Sequence, residues 1–166
     1  DTAAEVLKSI PDTQFLIKGN VPTTQDGYFR KVKKYAESLG LVEGKQIFYS
    51  RDNETSVSAL SLMDVYYQSS AGEGISTALL EAMAMERPVV ATNVGATQDV
   101  VTDRSNGYII PPKNPLEASN RIINLLNDSD MAKDIALNGY RFVTKNATVE
   151  RCANAHLEAV EMALNI

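Results

Sequence analysis

The sequence predicts an α/β fold: a Rossmann-like, doubly wound and mostly parallel sheet in a single domain, lacking its first strand. Two observations carry this expectation. Short apolar runs rich in Val, Ile, Tyr and Phe alternate with helix-like patterns along most of the 166 residues, which is the order that repeated βα units produce. With 44% apolar and 22% charged residues, the chain also has the composition of one globular domain with a real hydrophobic core.

The first pattern, Ala3 to Ser9, is helical. A doubly wound sheet normally begins with a strand, so the opening strand is expected upstream of Asp1; a smaller sheet of different topology would explain the same start. Strands are expected at Phe15 to Lys18, Gln46 to Tyr49, Asp64 to Gln68, Val89 to Thr92 and Gly107 to Ile110. Between them the spacing predicts helices near Asp26 to Leu39, Val57 to Leu62, Ile75 to Met85 and Thr97 to Val101. The tail is helical throughout: Leu116 to Leu126, Asp130 to Thr144 and Val149 to Leu164, the last capped by Thr148. Pro111, Pro112 and Pro115 stiffen the connection from the last strand into this tail.

Composition narrows the partners. A net charge of −5 gives no broad basic footprint for nucleic acid. No run is long and apolar enough to span a membrane and the sequence shows no basic and apolar leader, so a cytoplasmic or cytosol-facing piece is expected. The single cysteine, Cys152, allows no internal disulfide; in the pattern Val149, Cys152, Ala153, Leu157, Val160, Leu164 it reads as a small apolar core group. No metal-ligand constellation is visible, and His156 stands alone on the last helix as a structural or solvent-facing residue.

The chemistry is concentrated between Met63 and Thr92. After the strand ending at Gln68 the chain runs Ser69-Ser70-Ala71-Gly72-Glu73-Gly74-Ile75-Ser76-Thr77 into a helix. Small residues let a ligand approach the main chain, and the amides at a helix start suit a phosphate or diphosphate. A strand's carboxyl end is where open α/β sheets place ligands. The same residues would also serve as a plain loop with Ser76 or Thr77 capping the helix. Glu81, eight positions after Glu73 and on about the third turn, could hold a vicinal diol such as a ribose through its two carboxylate oxygens. A solvated helix glutamate accounts for it equally, although Leu79, Leu80, Ala82 and Met83 around it favour a defined partner or an edge position.

The segment resembles the carboxyl-terminal domain of retaining glycosyltransferases of the GT-B fold, the large group-1 family. The resemblance rests on Ser69-Ser70, Glu73-Gly74-Ile75-Ser76, Leu80-Glu81-Ala82-Met83-Ala84 and Arg87-Pro88-Val89-Val90-Ala91, with seven residues between the two glutamates. It continues through Asn93 to Val101 and Asn106 to Pro112, and upstream through Phe15 to Asn20, Leu39 to Leu41 and Ile47 to Ser50. Ile75 stands where an aromatic is usual, Ser76 and Ala96 where glycines are usual, Glu86 where a small residue is usual, and Asp99 where glutamate is common.

This resemblance implies a nucleotide sugar as substrate, with no cofactor. Glu73 would face the transferred sugar as the catalytic-site carboxylate. Glu81 would hold the ribose, the amides of Gly74, Ile75, Ser76 and Thr77 the sugar and diphosphate, and Gly19 and Arg51 the far side of the crevice and the base. Residues 1–166 would then be a carboxyl-terminal donor-binding domain truncated at its amino-terminal side. A family pair of Arg and Lys would lie ahead of Asp1. The missing amino-terminal domain would bind a glycan or lipid-linked acceptor and could bring the parent to the inner face of a membrane. A nucleotide-sugar epimerase of the same architecture and a catalytically silent α/β binding domain are the competing readings.

Overall fold

A computed structural model describes residues 1–19, 26–50 and 56–164. Strands and helices alternate through the first two thirds: α1 (Thr2–Ser9), β1 (Phe15–Lys18), α2 (Asp26–Ser38), β2 (Ile47–Ser50), α3 (Ser56–Ser61), β3 (Tyr66–Gln68), α4 (Thr77–Ala84), β4 (Val89–Thr92), α5 (Thr97–Val100) and β5 (Tyr108–Ile110). Three helices complete the chain, α6 (Pro115–Asn127), α7 (Ser129–Asn146) and α8 (Val149–Leu164). All strand pairs are parallel, β1 with β2, β3 with β4, and β4 with β5. The expected α/β architecture is therefore present, with every expected element within two residues of its predicted bounds.

Among the described residues the strands form two ladders, β1-β2 and β3-β4-β5, rather than one. In the larger ladder β4 is the middle strand, and all four of its residues are buried. Alternation sends Val89 and Ala91 to one face, against Leu79, Ala82 and Met83 of α4 and Val143 of α7. Val90 points to the other face, against Val6 of α1, Tyr108, and Ile122 and Leu125 of α6. A sheet buried on both faces calls for such an uninterrupted apolar strand. A smaller core of Ala36, Leu41 and Ile47 lies beneath the β1-β2 ladder.

Local chemistry sets the helix ends. Ser76 is extended at φ −78° and ψ 116° and accepts the Leu79 N–H on its hydroxyl, so α4 starts at Thr77 rather than Ile75. Asn114 caps α6 with Pro115 in the first turn, and Asp128 ends α6 while capping α7 through the Met131 N–H. Thr148 accepts the Arg151 N–H at 3.2 Å, as expected for the cap of α8.

The last helix overturns one expectation. Helix α8 buries none of its residues, and Cys152 is exposed rather than a core group. Its apolar stripe is real, but nothing in the described chain packs against it. Cys152 Sγ instead lies 3.8 Å from His156 Nδ1, which also contacts the Cys152 carbonyl at 2.8 Å on the solvent-facing helix.

Candidate functional site

The loop after β3 holds Glu73 and leads into α4, which carries Glu81, and the turn after β4 packs against that loop. From Gln68 the chain bends through Ser69 to Ser76 before α4, and three contacts fix that bend. Ser70 donates its hydroxyl to Glu73 Oε1 at 2.7 Å. Thr92, at the end of β4, donates its hydroxyl to the Ser70 carbonyl at 2.7 Å. The Ala96 N–H bonds the Gly74 carbonyl at 3.2 Å. A loop spanning eight residues is thus pinned at its entry, middle and exit.

Gly95 makes this pinning possible. Its φ is +53°, and a Cβ there would stand 1.7 Å from the Glu73 carbonyl oxygen. Only a residue without a side chain lets the turn after β4 press against the backbone of the Glu73 loop. Gly74 is different, because a Cβ there would meet nothing within 4 Å. The space beside Gly74 is open towards solvent and available to a ligand.

The amides of Gly74, Ile75, Ser76, Thr77 and Ala78 make no hydrogen bond among the described residues, whereas Leu79 N–H is taken by Ser76. These free donors sit at the positive end of α4, an arrangement suited to an anionic group. Glu73 and Glu81 are both exposed beside it. Glu81 is the fifth residue of α4, one turn nearer the start than the sequence suggested. Ile75 presents an apolar side chain at 57% exposure on the same rim.

Tyr66, half-buried on β3, feels the charge of both glutamates. Its hydroxyl donates to Gln68 Oε1 at 3.2 Å. Burial pushes the Tyr66 phenol above the ordinary tyrosine range, and the negative charges of Glu73 and Glu81 push it further, while a hydrogen bond with Ser76 pulls the other way. The phenol therefore stays neutral and able to donate.

The structure brings Glu73, Gly74, Ile75, Ser76, Thr77 and Glu81 to one rim. Gly19 follows β1, where its N–H bonds the Ser50 carbonyl at 3.2 Å; Lys18 just before it lines the same groove as Ser69, Ser70 and Ala71. Arg51 and Asn20 lie outside the described residues. Sequence reasoning missed Thr92, Gly95 and Tyr66 as parts of the site. A glycine in the turn after a strand and a phenol in an apolar strand were the only signals. Among the described residues no three His, Cys, Asp or Glu side chains are grouped to hold a metal, and no helix is long and apolar enough to cross a membrane.

A family profile described as glycosyl transferases group 1 matches residues 2–142. The chain belongs to that family. Among curated members it is 28% identical over 138 residues to an alpha-D-kanosaminyltransferase of Streptomyces kanamyceticus, covering 83% of this chain and 34% of that protein. It is 31% identical over 130 residues to a D-inositol 3-phosphate glycosyltransferase of Corynebacterium urealyticum, covering 77% of this chain and 31% of that protein. The chain thus spans about a third of the length of these two relatives.

Solved structures agree. The C-terminal domain of a group 1 glycosyl transferase from Francisella tularensis superposes with a TM-score of 0.77 at 28% identity, over 89% of this chain and 77% of that one. Anabaena HepE in complex with UDP-glucose superposes with a TM-score of 0.87 over 97% of this chain and 44% of that one; at 20% identity it supports the fold alone. This chain is accordingly related to sugar-transferring enzymes, and its fold is that of the family.

Proposed function

We propose that residues 1–166 form the carboxyl-terminal, nucleotide-sugar-binding domain of a retaining glycosyltransferase, which moves a sugar from its donor to a glycan or lipid-linked acceptor. The observation that carries this reading is the pinned loop whose five unengaged amides, Gly74 to Ala78, open between two exposed glutamates. A diphosphate fits the amides and the positive helix end. The Glu81 carboxylate, one turn into α4, accepts from the ribose hydroxyls, and Glu73 faces the transferred sugar. Arg51 is assigned to the base and Gly19 to the opposite side of the crevice.

In this reading catalysis is mainly electrostatic. Fixed amides stabilise the charge that gathers on the departing diphosphate, and the acceptor attacks from the same face of the sugar. Glu73 and Glu81 are therefore not an acid and base pair of the hydrolase kind. A further domain of the parent supplies the acceptor side of the cleft.

Titration with UDP, GDP and ADP, followed by amide resonances, tests the assignment. At least one nucleotide should move Gly74 to Thr77. Glu81→Gln should weaken that nucleotide about tenfold while leaving inorganic pyrophosphate unchanged. If no nucleotide or nucleotide sugar perturbs these amides in the full-length parent, the chain is a silent binding domain instead. Conversion of the donor sugar by the parent without any acceptor would make it an epimerase.

A further inference from the structure

Tyr66 and Gln68 stand two residues apart on β3 and so share one face of the sheet. Tyr66 packs there against the core built by Leu79, Ala82 and Met83 of α4, and both residues carry polar atoms into that apolar layer. Gln68 is only 7% exposed; its Oε1 accepts the Tyr66 hydroxyl at 3.2 Å, and its Nε2 is buried with no partner among the described residues. An apolar side chain of the same length would leave no buried donor open. As packing alone the glutamine is therefore a costly choice, and its side chain's engaged atom points to the phenol.

The hydrogens give this contact a direction. A phenol has one hydrogen, and that of Tyr66 goes to Gln68 Oε1. The hydrogen bond between Tyr66 and Ser76 then has the Ser76 hydroxyl as donor. A lone pair of Ser76 Oγ takes the Leu79 N–H at 3.3 Å, the cap of α4. One ordered chain thus runs from the Leu79 N–H through Ser76 and Tyr66 to Gln68. It grips Ser76 in the extended backbone, φ −78° and ψ 116°, at which the loop turns into the helix. The Ser76 amide lies in the middle of the run from Gly74 to Ala78 whose N–H groups are unengaged among the described residues. The neutral phenol does this without adding a third negative charge beside Glu73 and Glu81.

We propose that Tyr66 and Gln68 are positioning residues for these amides: acting through the Ser76 hydroxyl, they fix the direction in which the loop presents its N–H groups to a diphosphate. Neither touches the donor or the reacting atoms. Donors held in place before the anion arrives need no rearrangement when it binds. The inference rests on the reading of Gly74 to Ala78 as a diphosphate site.

Titration with inorganic pyrophosphate and with UDP, GDP and ADP, followed by the amide resonances of Gly74 to Thr77, tests the proposal. Tyr66→Phe keeps the ring and its packing, and should weaken pyrophosphate and the responding nucleotide by the same factor, about fivefold. Gln68→Leu fills the same space and turns the phenol hydrogen onto Ser76; about a threefold loss is expected. Ser76→Ala should weaken pyrophosphate as Tyr66→Phe does, and the double variant should lose no more than either alone, because both break one chain. Ser76→Thr, which keeps a hydroxyl and suits an extended backbone, should recover most of the Ser76→Ala loss. A role confined to packing would move none of these affinities in Tyr66→Phe. Unchanged pyrophosphate binding in Tyr66→Phe, or losses that multiply in the double variant, overturns the proposal. The outcomes also separate it from the donor reading. Pyrophosphate binding that shows these losses, with no nucleotide bound, removes the nucleotide-sugar reading and keeps the positioning chain. Nucleotide binding that ignores Tyr66→Phe does the reverse, and amides that respond to neither ligand remove both.

Discussion

Strands β1 and β4 have similarly apolar sequences, Phe15-Leu16-Ile17-Lys18 and Val89-Val90-Ala91-Thr92, and very different surroundings. Every residue of β4 is buried, whereas none of β1 is, and Ile17 is 45% exposed. Strand β4 has a partner on each edge and a helix layer on each face; among the described residues β1 has a single partner, β2. Burial in a parallel sheet is thus conferred by neighbours, and a strand's own composition only makes it eligible.

The harshest way to break the packed ladder is at Gly95. Gly95→Val would drive a side chain into the Glu73 carbonyl, which a Cβ would approach to 1.7 Å, at a φ of +53° that valine avoids. Because the obstacle is backbone, it cannot rotate away; the expected loss is about 4 kcal/mol or more, or failure to fold. Gly107→Ala is the informative contrast. Its Cβ would meet Val89 Cγ2 at 2.6 Å and Val101 Cγ1 at 2.8 Å, and those side-chain ends can shift, so the loss should be about 1 to 3 kcal/mol. Urea unfolding of both variants measures the difference, and equal losses would mean that the Gly95 turn does not press on the Glu73 loop.

Core truncation compares the two ladders directly. Leu79→Ala removes a side chain 2% exposed beneath β4 and should cost about 3 kcal/mol. Ile17→Ala on β1 should cost less than about 1 kcal/mol in the same chain, since its side chain already meets water. The ratio of the two, read from urea midpoints at constant slope, sharpens the comparison; comparable losses would show β1 to be covered in solution.

These contrasts also show what the sequence could and could not say. Val89 to Thr92 and Phe15 to Lys18 were both legible as strands, because period and β-branching act locally. Their unequal burial was not, because it depends on which strand lies alongside. Cys152 failed for the same reason: the helical period of α8 reports which face is apolar, not whether anything covers it. The Glu73 to Glu81 rim was legible as a loop, glycines and a helix start. Its pins were not, since Thr92 and Gly95 reach Ser70 and Glu73 across 22 residues in each case. Ser76 displaced the start of α4 from Ile75 to Thr77 by taking an extended backbone and capping with its hydroxyl.

Alkaline pH probes the floor of the rim. Burial, then Glu73 and Glu81, raise the Tyr66 phenol above its ordinary range. In the unfolded chain Tyr66 loses its proton at about pH 10, before it does so in the folded one. The stabilisation is therefore fully present below about pH 10 and disappears as pH rises through the higher folded value. Tyr66→Phe should flatten that part of the decline in unfolding midpoint above about pH 10. Glu81→Gln should flatten it less, because burial is the larger cause. An unchanged alkaline slope in Tyr66→Phe would place the phenol in open water.

The smallest effect is expected just ahead of β4, where Glu86 adopts a φ of +54°. A residue with a Cβ is strained there by about 1 to 2 kcal/mol, and among the described residues its exposed side chain makes no contact that would offset the strain. Glycine removes the strain but adds freedom to the unfolded chain, which returns about 0.5 to 1 kcal/mol. Glu86→Gly should therefore stabilise the protein by less than about 1 kcal/mol. The turn is held by the Glu86 N–H to Met83 and the Arg87 N–H to Ala82, and Arg87 in turn donates to the Met63 carbonyl at 2.8 Å. These bonds use backbone or the next side chain, so they survive the substitution. A thermal midpoint that falls in Glu86→Gly would mean that the Glu86 side chain contributes something its exposed position does not display.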